Sequence, residues 1–504
     1  MRCSTALLTT LLATPIFANP SFEPISIEAH EYIGGWEFYV GGGLASFDCN
    51  DDDLPELYAA GGEAPAALFV NTSTKAALDF RKETPEALAI QGMTGAYPID
   101  IDSDGITDLA ILSVGENMLL KGEGNCTFRP FDALEFSSSS HWTTSFSATW
   151  EANNSLPTLA FGNYVDREDP NGPFETCDVN TLYRPNGKSY ATPFELSPGY
   201  CTLSMLFSDW GRNGRADLRV SNDRHYYVKG GEEQMWAMEE TPRLYTQEDG
   251  WESFSIWGMG IASRDLTGDG LAEIALTSMG DQKIQSPIDR SAPRFTDYTF
   301  ERGTTAHRPY TGGDGRPSTG WHVAFGDIQN NGRDDIFIAK GNVERMPGAA
   351  MKDPNNLLIQ GEDGNFTEFG DVAGIASLVR SRGAVLADLN NDGLLDLAVN
   401  NRKAPLEVYQ NTSTETGNWL AVQLSQNSTN TDAIGSVIEV KTQSGIQTRE
   451  VTIGGGHAGG SLAAQHFGLG DHTDGELRVI WPDGTEGAWQ AFKAGQKITV
   501  RNDT

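Results

Sequence analysis

Long apolar runs are almost missing from this chain. Beyond residues 1–18 no stretch approaches the roughly 18 apolar residues of a membrane helix, so no transmembrane segment is expected. Basic side chains are outnumbered, with 36 Lys and Arg against 69 Asp and Glu and a net charge of -33. Such a surface repels phosphate backbones and anionic lipid. Nucleic acid is thereby excluded as a partner, and cations are the natural ones. Cysteine is sparse, 5 in 504 residues, and no C-x-x-C pair occurs, which excludes a zinc ribbon and a thioredoxin-type site. H-E-x-x-H, G-x-S-x-G and G-x-x-x-x-G-K-[ST] are absent too. The common zinc protease, α/β-hydrolase and P-loop chemistries go with them. The expectation is a protein that is not an enzyme.

Residues 1–18 read as an export signal: Arg2 gives a positive start, Ala6 to Phe17 is mostly apolar, and Ala18 precedes a cut ahead of Asn19. The mature chain is expected outside the cytoplasm, either secreted or periplasmic. Removing Cys3 leaves Cys49, Cys126, Cys177 and Cys201. An even number in an oxidising compartment points to two disulfides. Cys177 and Cys201 are the nearest pair in sequence and Cys49 with Cys126 the remainder, although sequence alone permits 3 connectivities.

What the chain does have is a repeat. Its fullest copy is Asp100-Ile-Asp102-Ser-Asp104-Gly105-Ile-Thr-Asp108-Leu, with acids at positions 1, 3, 5 and 9. Loop 1 carries Asp48, Asn50, Asp52 and Glu56, with Asp53 in place of the glycine. Loop 5 has Asp265, Thr267, Asp269 and Glu273; loop 7 has Asp388, Asn390, Asp392 and Asp396. Loop 6 is more neutral, with Asp327, Gln329, Asn331 and Asp335. Loop 4 keeps only Asp209, Asn213 and Asp217, with Gly211 at position 3, and a degenerate loop 3 starts at Trp150. Successive copies start 50 to 62 residues apart, which marks a repeat architecture.

Oxygens at positions 1, 3 and 5 converge if the chain curls tightly, Gly at position 6 permits the turn, and the acid at position 9 closes the shell. Without a cation each carboxylate pair a few Å apart repels by about 1 kcal/mol even in a water-like dielectric. A flexible cage of protein oxygens favours calcium over magnesium. Several structural calcium ions are therefore expected, with loop 4 the weakest site, loop 6 next and loop 3 empty. These are not EF-hands, because position 12 holds Ala59, Ile111, Leu276, Ile338 or Val399 instead of Glu. Apolar runs follow position 9, as in Leu109 to Val114, and read as strands. Leu119 to Phe128 and Leu357 to Phe366 add a second hairpin around a Gly turn. Four strands per unit and seven units make a seven-bladed β-propeller, placed over residues 25–412.

These segments resemble FG-GAP/VCBS repeats, the calcium-bearing blades also found in integrin α-chain heads. The runs 207–227, 257–270 and 338–347 are similar to the cartilage acidic protein family. Beyond Asn411 the repeat stops, and alternating apolar residues with Gly turns predict a small β domain over 413–502. His466-Phe-Gly-Leu-Gly470 and Trp481-Pro-Asp-Gly484 resemble the ASPIC/UnbV module that follows such propellers.

Gly454 to Gly459 formally satisfies G-x-G-x-x-G, but no βαβ unit follows, so a dinucleotide site is not expected and His457 reads as an exposed imidazole in a turn. His225, His307 and His322 read as loop or packing residues. Trp210, Trp236, Trp257 and Trp321 read as packing between neighbouring sheets. The expected function is an extracellular scaffold of binding or adhesion type for a protein or glycan partner. The rival readings are a hydrolase with a site in the propeller channel and a carbohydrate-binding protein.

Overall fold

A computed structural model describes residues 19–503 apart from 152–153, 170–175, 191, 224–229, 306–307 and 311–314. The expected export signal, His225 and His307 lie outside the described residues. The chain is all-β, and four-stranded antiparallel units recur along it. Most are meanders of sequence neighbours, as in Leu44–Phe47, Glu56–Ala59, Ala67–Asn71 and Phe80–Lys82. The first strands of the later units are Met93–Ile99, His141–Thr149, Thr202–Ser208, Gly258–Arg264, Gly320–Gly326 and Arg380–Ala387. These first strands touch one another in chain order, and Leu44–Phe47 touches Arg380–Ala387. A short pairing of His141 and Trp142 with Gly115 and Val114 joins the second and third units into one longer sheet.

The local cause is visible in each unit. The acid at position 9 is the first residue of the second strand, as in Asp108–Gly115, Asp335–Lys340 and Asp396–Arg402. The apolar run behind it buries on both faces, which is why it shows no alternation. A register shift recurs in the first strand, at Met93/Gly95, Thr143/Ser145, Thr202/Ser204 and Gly258/Gly260. Such bulges bend a strand and increase its twist.

The last unit takes its fourth strand from the other end of the chain. Phe22–Pro24 pairs with Glu407–Asn411, so the sheet-bearing region begins before residue 25, the start expected from the repeat. Two disulfides, Cys49–Cys126 and Cys177–Cys201, match the favoured pairing. The first spans 77 residues and ties loop 1 to the hairpin tip of the second unit. Closing a loop of that length is worth about 4 kcal/mol in the chain-entropy picture.

The C-terminal module has two sheets around one core of residues that includes Leu420, Val422, Phe467, Leu477 and Trp481. Between Gly445–Glu450 and Gln465–Gly470 runs the Gly-rich segment, and it does not lie on the surface. Ile453 O accepts from Ala148 N, Gly455 N donates to Met205 O, and Gly456 N donates to Ile261 O. Gly460 N donates to Ala96 O, and Ser46 N donates to Gly460 O. His457 N donates to His322 Nδ1. The segment thus bonds to six of the first strands at once, acting as a plug among them. His457 is 0% exposed, stacked edge-on to Trp321 at 5.0 Å, which corrects the expected exposed imidazole. Glycine is required because the inner strands come too close for side chains. A Cβ on Gly43 or Gly95 would land on the Ala458 carbonyl, and one on Gly459 would land on that of Leu44.

The plug also fixes the protonation of its histidine. Gly41 N donates to His457 Nε2, while Nδ1 faces the Met259 carbonyl at 3.0 Å, so the ring is neutral with its proton on Nδ1. Burial holds His457 down at about 3 and His322 at about 4. Both lie below the 6.5 of an exposed histidine, so their contribution to stability is complete above pH 6.5 and falls as pH drops from there toward 4. We expect His457→Gln to flatten the melting-temperature loss between pH 7 and pH 5; an unchanged slope would contradict the buried neutral pair.

Candidate metal loops

The loops share one hydrogen-bond design. The carboxylate at position 1 accepts backbone N–H groups from its own turn: Asp100 from Ser103 and Gly105, Asp388 from Asp392 and Gly393, Asp265 from Gly268 and Gly270. Asp48, Asp209 and Asp327 do the same with Asp53, Gly214 and Gly332. The residue at position 5 accepts from position 7, as Asp104 does from Ile106 N and Asp392 from Leu394 N. These bonds wrap the turn around its acids.

Position 9 plays a part that spacing did not reveal. Asp108 accepts Ile101 N with one oxygen and Gly122 N, from the third strand, with the other. Asp335 takes Ile328 N and Gln360 N; Asp396 takes Leu389 N and Asn411 N. Glu273 takes Leu266 N and, because Pro287 has no N–H, the hydroxyl of Ser286. Glu56 takes Cys49 N. The acid therefore buckles loop to sheet, and its burial follows: Glu56, Asp108, Asp217, Glu273, Asp335 and Asp396 are at most 2% exposed.

Burying carboxylates among carboxylates has an electrostatic cost. Burial first, and neighbouring acids after it, push Glu56 and Glu273 up to about 7. Burial raises Asp108 to about 7 and Asp388 to about 6, and it drives Asp335 and Asp396 well above the usual carboxylate range. Positive charge placed among these oxygens relieves that cost.

In loop 2 the acids draw together, with the Lys121 ammonium against Asp102 and Asp104. Asp100, Asp102 and Asp108 each bring a carboxylate oxygen within 4.8 Å of the others. Asp102 Oδ1 is buried without a hydrogen-bond partner. An all-oxygen set with an unsatisfied carboxylate atom suits calcium. Two loops are built differently. In loop 4, Arg215 Nε sits 2.9 Å from Asp217 Oδ1, while Trp210 Nε1 and the Tyr245 hydroxyl donate to Oδ2, so this acid is already satisfied by donors from the protein. In loop 3, Glu151 pairs with Arg184 at 3.0 Å, and residues 152–153 are outside the described set. In loop 1, Asn50 Nδ2 donates to Asp52 and Glu56; in loop 7, Asn390 Nδ2 donates to Asp392. Asp269, Asn213 and Asn331 likewise accept the N–H of Leu271, Arg215 and Arg333 at position 7, and Thr267 and Gln329 stand two residues before Asp269 and Asn331 in the same loops.

The C-terminal module is seated on this loop face. Thr431 Oγ1 donates to Asp100 Oδ2 at 2.6 Å, and Ser103 Oγ donates to Thr429 O. Glu450 accepts from Ser208 Oγ and Asp209 N. Lys497 pairs with Asp53 at 2.9 Å, Gly470 N donates to Asn330 O, and Arg449 pairs with Asp334 at 3.0 Å. Sequence reasoning missed this seating, since each contact joins residues more than 100 positions apart.

Residues 426–504 match the family model described as ASPIC and UnbV. The C-terminal module is an ASPIC and UnbV domain. The chain is also 31% identical over 233 residues to Cartilage acidic protein 1 of Mus musculus, covering 45% of this chain and 34% of that protein. With the Homo sapiens protein of the same name it shares 31% identity over 109 residues, 21% of this chain and 16% of that one. The matched regions thus span about a third or less of those curated relatives. Among solved structures, BBS1N from a complex with ARL6DN aligns at a TM-score of 0.44 and 8% identity, covering 78% of this chain and 98% of that one. An Agrocybe aegerita lectin specific for non-reducing terminal N-acetylglucosamine aligns at 0.38 and 13%, covering 74% and 94%. Ahead of the ASPIC and UnbV domain, the repeated units contribute the loops on which it rests.

Proposed function

We propose that this chain is a calcium-stabilised, seven-bladed β-propeller whose ASPIC and UnbV domain locks its loop face, and that it serves outside the cytoplasm as a binding scaffold. The observation that carries the reading is the approach of Asp100, Asp102 and Asp108 carboxylate oxygens to within 4.8 Å of one another, with Asp102 Oδ1 buried and unpartnered. Asp48, Asp265 and Asp388 with their loop partners would hold further ions. Calcium there supplies fixed positive charge, and the protein supplies the turns that hold the oxygens together. Two disulfides favour an oxidising compartment.

The plug supports binding over catalysis in the channel, because residues 453–460 occupy the space between the first strands where a channel hydrolase would place its substrate. A scaffold of this kind presents its rim and its face away from the module to a protein or glycan. Immobilised chain should retain a defined partner from an extracellular fraction in millimolar calcium and release it on chelation. Equal, nonspecific retention with and without chelator would count against the scaffold reading.

A further inference from the structure

Loop 2 has an acid at each of positions 1, 3, 5 and 9, yet among the described residues it alone of the acid-rich loops has an ammonium paired with the acids at positions 3 and 5. Lys121 lies on the third strand, Met118–Gly122, one residue before the Gly122 N–H that Asp108 holds. Its Nζ stands 2.7 Å from Asp102 Oδ2 and 2.6 Å from Asp104 Oδ2. The side chain is 14% exposed and packs 5.0 Å above the Phe131 ring, so it is held from both sides.

Strand register identifies the same position in the other units. Leu109 pairs with Leu120, as Leu57 pairs with Phe69, Leu218 with Trp236, Ile274 with Gln285, Ile336 with Leu358 and Leu397 with Tyr409. The residues matching Lys121 are therefore Val70, Ala237, Ser286, Ile359 and Gln410, none of them charged. In the third unit the match is Arg184, where Leu159 pairs with Tyr183, and there positions 1, 3, 5 and 9 of the loop carry no acid and Arg184 pairs with Glu151 at position 2.

We propose that Lys121 is a tethered counter-ion that makes loop 2 the weakest divalent site among the acid-rich loops, reversing the order that acid count alone implies. The proposal rests on the calcium reading above. An ion entering loop 2 must share Asp102 with the ammonium and compete with it for Asp104, while the ammonium repels the ion directly. The site is weakened and not abolished, because Asp100, Asp102 and Asp108 still bring carboxylate oxygens within 4.8 Å of one another, and Asp102 Oδ1 is left without a partner by the ammonium. Asp100 also accepts from Thr431, and Ser103 donates to Thr429, so filling loop 2 is felt at the contact with the C-terminal domain. Loop 2 is then the site whose occupancy follows free calcium in a range where the other acid-rich loops are already full.

Titrating the full mature chain with calcium alone, by calorimetry and equilibrium dialysis, tests this. Wild type should show one weak acid-loop site that Asp102→Asn removes. In Lys121→Gln that site should tighten at least about 10-fold, equivalent to about 1.4 kcal/mol. Lys121→Arg should stay weak. Lys283→Gln, which removes a half-buried lysine paired with Asp297 in another unit, should shift it less than about 2-fold. Melting in excess calcium verifies that each variant is folded. An unchanged or weaker loop 2 site in Lys121→Gln overturns the proposal while leaving the calcium reading intact. Absence of calcium uptake at every loop overturns both.

Discussion

Gly95→Ala is expected to lose about 3 kcal/mol or more of stability, a large effect for one methyl group. Gly95 sits at the bulge of the second unit's first strand, facing the Gly-rich segment of the C-terminal domain. The new Cβ would collide with the Ala458 carbonyl and methyl, which are backbone and short side chain and have no rotamer to escape into. Either the strand bends or the plug withdraws. Withdrawal forfeits the bonds from Gly455, Gly456 and Gly460 to three different first strands and exposes His457. Denaturant unfolding should show the loss, and limited proteolysis should gain a cut between residues 450 and 465. Gly348→Ala is the control: a Cβ there meets nothing within 4 Å, and the effect should stay within about 0.5 kcal/mol. Equal stability in both variants would mean that the segment does not pack among the strands as described.

Calcium removal should have the other large effect. Ligand that binds only the folded state stabilises it by mass action. At 10 mM calcium, a site of about 0.1 to 1 mM affinity adds roughly 1.4 to 2.7 kcal/mol. Loops 1, 2, 5 and 7 together then raise the melting temperature by about 5 to 15 °C over the chelated protein. The increment should shrink in Asp388→Asn and hardly change in Asp209→Asn, because loop 4 already satisfies Asp217 with Arg215, Trp210 and Tyr245. Magnesium at the same concentration should give a smaller rise, since it needs a stricter geometry than these turns offer.

The parts legible in the sequence are those whose cause is local. Asp100 to Asp108 spell their own turn, because Asp100 bonds to backbone within five residues of itself. The strand that starts at Asp108 follows from the apolar run behind it, and the return hairpin from the Gly turn near Asn125. The illegible parts are those fixed by distant packing. Nothing near Gly454 to Gly460 announces that Ser46, Ala96 and Ile261 will surround it, and the same glycines mimic an exposed turn or a nucleotide fingerprint. His457 was misread for that reason: its burial depends on Gly41, Met259 and His322, which lie 135 or more positions away. Lys121 was hidden differently. It lies 17 positions from Asp104, in a strand whose sequence reads as ordinary sheet, and only register places its ammonium on the loop. Phe22–Pro24 lies outside the repeat, yet it completes the last sheet because that unit has no fourth strand of its own.

Ions among the loop carboxylates hold the proposed fold together, and counting them is the most direct check. Purified protein, dialysed against 1 mM calcium and analysed for metal content, should retain several calcium ions per molecule, about one fewer in Asp388→Ala. Less than one ion per chain, with the fold intact by circular dichroism, would contradict it.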